Sequence, residues 1–301
     1  MKFSVQGCGV ALVTPFDEQG AIDFKSMIRL VDHVVDGGVD YIVLFGTTGE
    51  SPTVSLQEKQ EALQLVSKHL NGKVPIVIGF GSNNTTKLIE EMNLFDFTGA
   101  SALLSVMPYY NKPNQDGMYM HYKMIAEHAP IPVVLYNVPG RTVVNMEPET
   151  TLRIARDCPN VMAIKEATDN MDQVMDLLYE KPASLEVVAG DDALALPIIS
   201  MGACGVISVI ANAYPKEFSK MVHATMNGNM EEARKYHYLI LPIMHTLLKM
   251  GNPSGIKAVL HIKGLIQHVF RLPVHPVNEA KFAEISKVVE QTEKNCRQAT
   301  L

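Results

Sequence analysis

Short apolar runs rich in Val, Ile, Leu and Ala recur eight times along the chain, with amphipathic stretches between them. In order they read "CGVALVTPF" (8–16), "YIVLFG" (41–46), "VPIVIGF" (74–80), "ASALLSVMP" (100–108), "PVVLYNVP" (132–139), "VMAIKEA" (161–167), "LEVVAGDD" (185–192) and "GVISVIA" (205–211). Near-continuous apolarity is the mark of parallel strands covered by helices. The stretches between them repeat apolar residues at three and four, as in 24–38, which stops at Gly37-Gly38, and in 56–72. That spacing predicts helices. A βα unit repeated eight times, with no two strands close enough for a hairpin, predicts an α/β fold of the (β/α)8 TIM barrel type rather than a doubly wound sheet.

No strand signal returns after residue 228. The segments 230–251, 255–270 and 278–295 predict three helices, so the reading is a catalytic barrel over 1–228 and a C-terminal three-helix appendage over 229–301. Ala193 to Pro215 carries no charge and is long enough to span a bilayer, but Pro197, Gly202, Gly205 and Asn212 punctuate it. It reads as a short buried helix, a Gly turn and a buried strand. The N-terminus reads as a first strand and not a signal peptide, because Gln6, Gly7 and Gly9 interrupt any apolar run.

Composition narrows the classes further. A net charge of −6 with no Lys/Arg cluster argues against nucleic acid as a partner. The four cysteines are widely spaced and form no CxxC pair, which suits a reducing cytoplasm. The ten histidines contain no HxH, HxxxH or HExxH arrangement, so no local metal site is expected. "GFGSNNTT" (79–86) has Asn84 where a dinucleotide fingerprint needs Gly or Ala.

Catalytic side chains of a barrel sit at the C-terminal ends of the strands. Lys165 lies near such an end. Strand alternation puts Ala163, Lys165 and Ala167 on one face and Met162, Ile164 and Glu166 on the other. If the first set faces the axis, two alanines leave room for a ligand beside the amine. Desolvation disfavours the charged lysine and leaves an amine able to attack a carbonyl, which points to Schiff-base chemistry. Tyr136 shares parity with Val134 and Val138 and could shuttle a proton from the neighbouring strand. Arg141, just past Pro139-Gly140, suits a substrate carboxylate. "GTTGE" (46–50) offers turn N–H groups and the hydroxyls of Thr47 and Thr48 to an anion.

Taken together, "GTTGES", "PYYNKP", "YNVPGRT", "IKEAT", "GDD" and "GVISV" resemble, in order and spacing over essentially the whole chain, the dihydrodipicolinate synthase (4-hydroxy-tetrahydrodipicolinate synthase) branch of the pyruvate-dependent aldolases. The resemblance implies that Lys165 forms a Schiff base with pyruvate. It implies a proton relay of Tyr136, Thr47 and Tyr110, with Tyr110 reaching into a neighbouring subunit's site. Thr48 would hold the pyruvate carboxylate and Arg141 the carboxylate of L-aspartate 4-semialdehyde. Gly190 and Ile207 would line the pocket through their backbone. A homotetramer built as a dimer of dimers, no cofactor and a place in lysine synthesis through diaminopimelate are implied as well. Two other readings are an N-acetylneuraminate lyase or keto-sugar acid aldolase of the same superfamily, and an inactive metabolite-binding barrel. The first usually has Ser-Thr in place of Thr47-Thr48 and lacks the "VPGRT" arginine.

Lysine-inhibited members of the branch commonly carry histidine on the helix after "GTTGES" and an acidic residue after the "GSNN"-type loop. Here Ser51, Asn83 and Tyr109 match that regulatory site, while Leu56, Lys59 and Lys87 depart from it. Lys87 would repel a cationic ligand. A second departure is Gly255, where relatives often have proline; it is expected to matter only for how that helix begins. Inhibition of activity by lysine is therefore expected to be weak or absent, and half-maximal inhibition well below a millimolar would contradict this.

Overall fold

In the computed structural model, which describes residues 3–300, eight parallel strands close into a barrel in sequence order. They are β1 (Gly7–Ala11), β2 (Tyr41–Leu44), β3 (Ile76–Gly79), β4 (Ala102–Val106), β5 (Val133–Asn137), β6 (Val161–Glu166), β7 (Glu186–Ala189) and β8 (Gly205–Ser208). β8 pairs back onto β1, with Gly7 opposite Gly205 and Val10 opposite Ser208. Every strand is shorter than the apolar run that predicted it. The ladder stops where each strand leaves the barrel, and the residues that follow it form the loops at the C-terminal mouth.

The outer helices begin in a repeated way. Asp23, Ser55, Asn84, Asn114 and Asn170 each cap a helix by accepting from the backbone N–H three residues on, and Ser55 with Glu58 completes a capping box. Each cap satisfies a donor that the first helical turn leaves unpaired. The strands bury both faces. Ile42, Ile78, Leu103, Leu135, Ile164 and Val206 pack outward under the helices, whereas Val43, Val77, Leu104, Val134, Val188 and Ile207 fill the barrel.

Alternation fails at one residue. Met162, expected with Ile164 on the outer face, joins the inner cluster instead. The register between β5 and β6 slips there, with Val133 opposite Val161 but Val134 opposite Ala163, so Met162 is the extra residue of a bulge. From Ala163 onward the predicted alternation resumes. The uncharged window resolves into the helix Ala195–Ser200, a left-handed Gly202 and β8. Among the described residues no helix is long and apolar enough to cross a membrane.

Three helices follow the barrel, at Met230–Met250, Ser254–Ile262 and Glu279–Thr300. The second ends well short of the expected residue 270. Gly264 is left-handed, and the N–H groups of Gly264 and Leu265 donate to the carbonyls of His261 and Leu260. That closure stops the helix although the apolar spacing continues beyond it.

This helix and the segment after its stop tie the appendage to the barrel mouth. Lys257 and Glu50 are both fully buried and paired, Nζ to Oε1, at 2.6 Å. The ammonium also lies within 4.5 Å of the Phe16 ring centre and 4.6 Å of that of Phe270. Arg271 donates to Glu58 at 2.5 Å, to the Thr53 carbonyl at 2.7 Å and to the Gly20 carbonyl at 2.8 Å. Removing one member of a buried pair strands the other charge, at a cost of about 3–5 kcal/mol. Lys257→Met should therefore lower unfolding free energy by roughly that amount in a denaturant titration. Adding Glu50→Met should restore most of it; a double variant no more stable than the single one would count against this account.

Candidate active site

A cavity of about 400 Å³ opens at the C-terminal ends of the strands. Lys165 reaches it from β6 and is 4% exposed. Its register partner on β5 is Tyr136, and the lysine Nζ stands 4.4 Å from the centre of that ring. Among the described residues no carboxylate lies within ion-pair distance of Lys165. Ala167, on the same face, also lines the cavity.

The turn after β2 supplies the opposite wall. Thr47–Gly49 forms a single helical turn, closed by Glu50 in the left-handed region at φ 54°. The leading N–H groups of such a turn have no partner within it and face anions readily. Thr48 is buried, and its Oγ1 accepts from Asn252 Nδ2 at 2.9 Å. The hydroxyl hydrogen of Thr48 is thereby left to donate elsewhere. Arg141 sits exposed on the helical turn Pro139–Thr142, and its Nη2 donates to the Asn252 carbonyl at 3.2 Å.

Gly190 earns its place by close approach. Its N–H donates to the Glu166 carbonyl at 2.7 Å, and a Cβ there would lie 2.5 Å from that of Ala167. Any side chain at 190 would press on the residue beside Lys165. Asp192 accepts from the N–H groups of Val209 and Ile210, at 3.1 and 2.8 Å, and holds the turn after β8. Burial pushes its carboxyl up to about 6, against the hydrogen bond from Ser208.

Glu166 faces away from Lys165, as alternation predicted. It accepts from Asn137 Nδ2 at 2.9 Å, from Gln173 Nε2 at 3.3 Å and from the Thr168 N–H at 3.1 Å. Desolvation outweighs these donors and raises its carboxyl to about 7.

Of the residues expected at the site, Lys165, Tyr136, Thr47, Thr48, Arg141 and Gly190 line this one cavity. Ile207 does not; its side chain is fully buried among the inner barrel residues. Tyr110 is 89% exposed, in the left-handed region at φ 74°, and lines no wall of the cavity. Ser51 and Tyr109 line a second cavity on the other side of the Thr47 turn, and Asn83 Nδ2 donates to the Tyr109 carbonyl at 3.1 Å.

Sequence reasoning missed the contribution of the C-terminal helices. His245, Leu248 and Asn252 line the catalytic cavity. Asn252 lies three residues before Gly255, and nothing local marks its contact with Thr48, 204 positions away. Gly255 itself retains a backbone donor that proline lacks, bonded to the Gly251 carbonyl at 2.8 Å.

A lysine and a tyrosine on adjacent inner strands of an eight-stranded barrel, at its C-terminal mouth, describe a lyase of the class I aldolase type. The chain belongs to the Dihydrodipicolinate synthetase family, whose model matches residues 4–292. It is 45% identical over 293 residues to the 4-hydroxy-tetrahydrodipicolinate synthase of Parabacteroides distasonis, covering 97% of this chain and 99% of the relative. It is 47% identical over 293 residues to the enzyme of that name from Porphyromonas gingivalis, again over 97% and 99% of the two chains. The crystal structure of dihydrodipicolinate synthase from Aquifex aeolicus superposes with a TM-score of 0.92 at 35% identity, over 96% of this chain and 98% of that one.

Glu166 gives a pH signature. Its carboxyl is raised from 4.5 to about 7 in the fold, so its contribution is complete below the unfolded value and is lost as pH climbs through 7. At about 1.4 kcal/mol per unit this amounts to roughly 3 kcal/mol. Unfolding free energy of the wild type should fall between about pH 4.5 and pH 8, and Glu166→Gln should flatten that slope. Parallel profiles for the two proteins would remove Glu166 as the source.

Proposed function

We propose that the protein condenses pyruvate with L-aspartate 4-semialdehyde, as a 4-hydroxy-tetrahydrodipicolinate synthase, in the cytoplasmic route to diaminopimelate and lysine. The observation that carries this is the buried Lys165 amine, unpaired by any carboxylate among the described residues and seated beside Tyr136 in an open cavity. An amine so placed is a nucleophile awaiting a carbonyl.

In this mechanism Lys165 attacks the pyruvate carbonyl carbon and the carbinolamine loses water to give the imine. The iminium draws electrons from the adjacent methyl group, which releases a proton and becomes an enamine. The enamine carbon bonds to the aldehyde carbon of the second substrate, whose oxygen takes up a proton. The amine of that substrate then closes the ring on the imine carbon and expels Lys165. One water leaves over the whole cycle. Tyr136 and the Thr47 hydroxyl carry protons in these steps. Thr48 donates its hydroxyl hydrogen to the pyruvate carboxylate, and Arg141 offers a two-pronged donor to the carboxylate of the aldehyde.

Tyr110 completes the relay from a second copy of the chain, within a homotetramer arranged as a dimer of dimers. Its high exposure in one chain supports that reading, since a tyrosine at a tight left-handed turn is held outward with nothing of its own chain to cover it.

Borohydride reduction in the presence of pyruvate, followed by intact mass and peptide mapping, should place a pyruvate-derived adduct on Lys165. Folded, pyruvate-saturated protein that acquires no adduct would sink the mechanism. Tyr136→Phe should reduce kcat by about 10²–10⁴-fold, the range for a lost general acid–base. Tyr110→Phe should also impair turnover, and near-normal rates would argue against the cross-subunit role. Assaying N-acetylneuraminate cleavage beside the condensation tests the substrate.

A further inference from the structure

The second substrate of the condensation brings an ammonium as well as a carboxylate and an aldehyde. Arg141 meets the carboxylate, and the ammonium has no partner among the residues of the mechanism above. The cavity wall carries two carboxylates, Asp191 and Asp192, on the loop after β7. Asp192 is committed to its own chain. Its Oδ1 accepts from the Val209 N–H at 3.1 Å, its Oδ2 from that of Ile210 at 2.8 Å, and Ser208 donates to the same carboxyl. Asp191 is half-buried, and its Oδ1 accepts from the N–H groups of Ala193 and Leu194 at 2.9 and 3.1 Å. Among the described residues its Oδ2 has neither a hydrogen-bond donor nor a cation within ion-pair distance.

The topology puts this carboxylate beside the reacting centre. Lys165 on β6 is in register with Val188 on β7 and with Tyr136 on β5. Asp191 follows β7 and Arg141 follows β5, so opposite charges flank the lysine from its two neighbouring strands. An α-amino acid aldehyde carries both complementary charges on one carbon. His245 also lines the cavity, but an imidazole attracts an ammonium only through a lone pair, whereas a carboxylate does so through its charge.

We propose that Asp191 binds the ammonium of the second substrate and takes a proton from it before ring closure, an assignment that rests on the condensation proposed above. An ammonium has no lone pair and cannot attack the imine, so a base must act first. The ammonium gives one proton to Asp191. Its nitrogen then bonds to the iminium carbon while the π pair moves onto the Lys165 nitrogen. A proton passes from the new ring nitrogen to the lysine nitrogen. The ring nitrogen next forms its own double bond to that carbon, Lys165 leaves as a neutral amine with the C–N bond pair, and the ring nitrogen and Asp191 each release a proton to water.

Asp191→Asn in the full-length protein tests this, because it keeps an oxygen for the Ala193 and Leu194 N–H groups and removes the charge. The borohydride adduct with pyruvate on Lys165 should form as in the wild type. KM for L-aspartate 4-semialdehyde should rise about tenfold or more, the value of one charge-assisted hydrogen bond, with KM for pyruvate nearly unchanged. Turnover of the variant should climb more steeply with pH than that of the wild type, as the substrate amine sheds its own proton. 4-Oxobutanoate, which has the aldehyde and carboxylate but no amine, should compete equally well against both proteins. Asp191→Glu should recover part of the loss, and Asp191→Ser, which keeps a capping oxygen, serves if the first variant fails to fold. The role of Asp191 alone is overturned if the adduct forms but KM and the pH profile match the wild type, or if 4-oxobutanoate is weakened as much as the substrate. A wild type that gains no pyruvate adduct would refute the condensation and this role with it.

Discussion

A buried ammonium has few places where its counter-ion can be, and the pair Lys257–Glu50 uses that constraint to join the two parts of the chain. Glu50 directly follows the Thr47–Gly49 turn, and Lys257 lies in the helix Ser254–Ile262. With both groups sealed from water, the turn has a fixed position relative to that helix. Asn252, five residues before Lys257, then falls within hydrogen-bond distance of Thr48. Such a pair is weak evidence for net stability, because desolvation offsets most of its attraction. What it supplies is position. The appendage is the means by which the threonine turn, Arg141 and the cavity wall hold one arrangement.

Strand β6 holds two chemistries separated by one peptide bond. Lys165 and Glu166 are neighbours of opposite charge, yet they never meet, because a strand sends successive side chains to opposite faces. Glu166 is satisfied by amides on the helix side and driven toward its neutral form by burial. Lys165 is left with an aromatic face and an open cavity. Had the two side chains shared a face, the carboxylate would have quenched the amine's nucleophilic use. Gly190 guards this arrangement from the next strand, since any larger residue would push Ala167 into the space beside the lysine.

The sequence carried a good deal of this. The eight apolar runs each became a strand, because a strand buried on both faces needs near-continuous apolarity and little else. Parity grouped Lys165 with Ala163 and Ala167, and Tyr136 with Val134 and Val138, and closure of the barrel turned both sets inward. Helix ends were less legible. The apolar spacing past Ile262 continues, and only the left-handed Gly264 shows why the helix stops. The expectation for Tyr110 rests on its motif and not on its geometry, because one chain does not show what an exposed tyrosine meets.

By itself, then, the amino-acid sequence determined the barrel and which side chains of a strand share a face, both of which depend on local periodicity. The tertiary structure alone decided which distant groups finish the site. Asn252 on Thr48, Lys257 on Glu50 and Arg271 on Glu58 are contacts between remote segments. Periodicity fixes the face on which a side chain lies. Only the packing of whole elements fixes which charge it meets there.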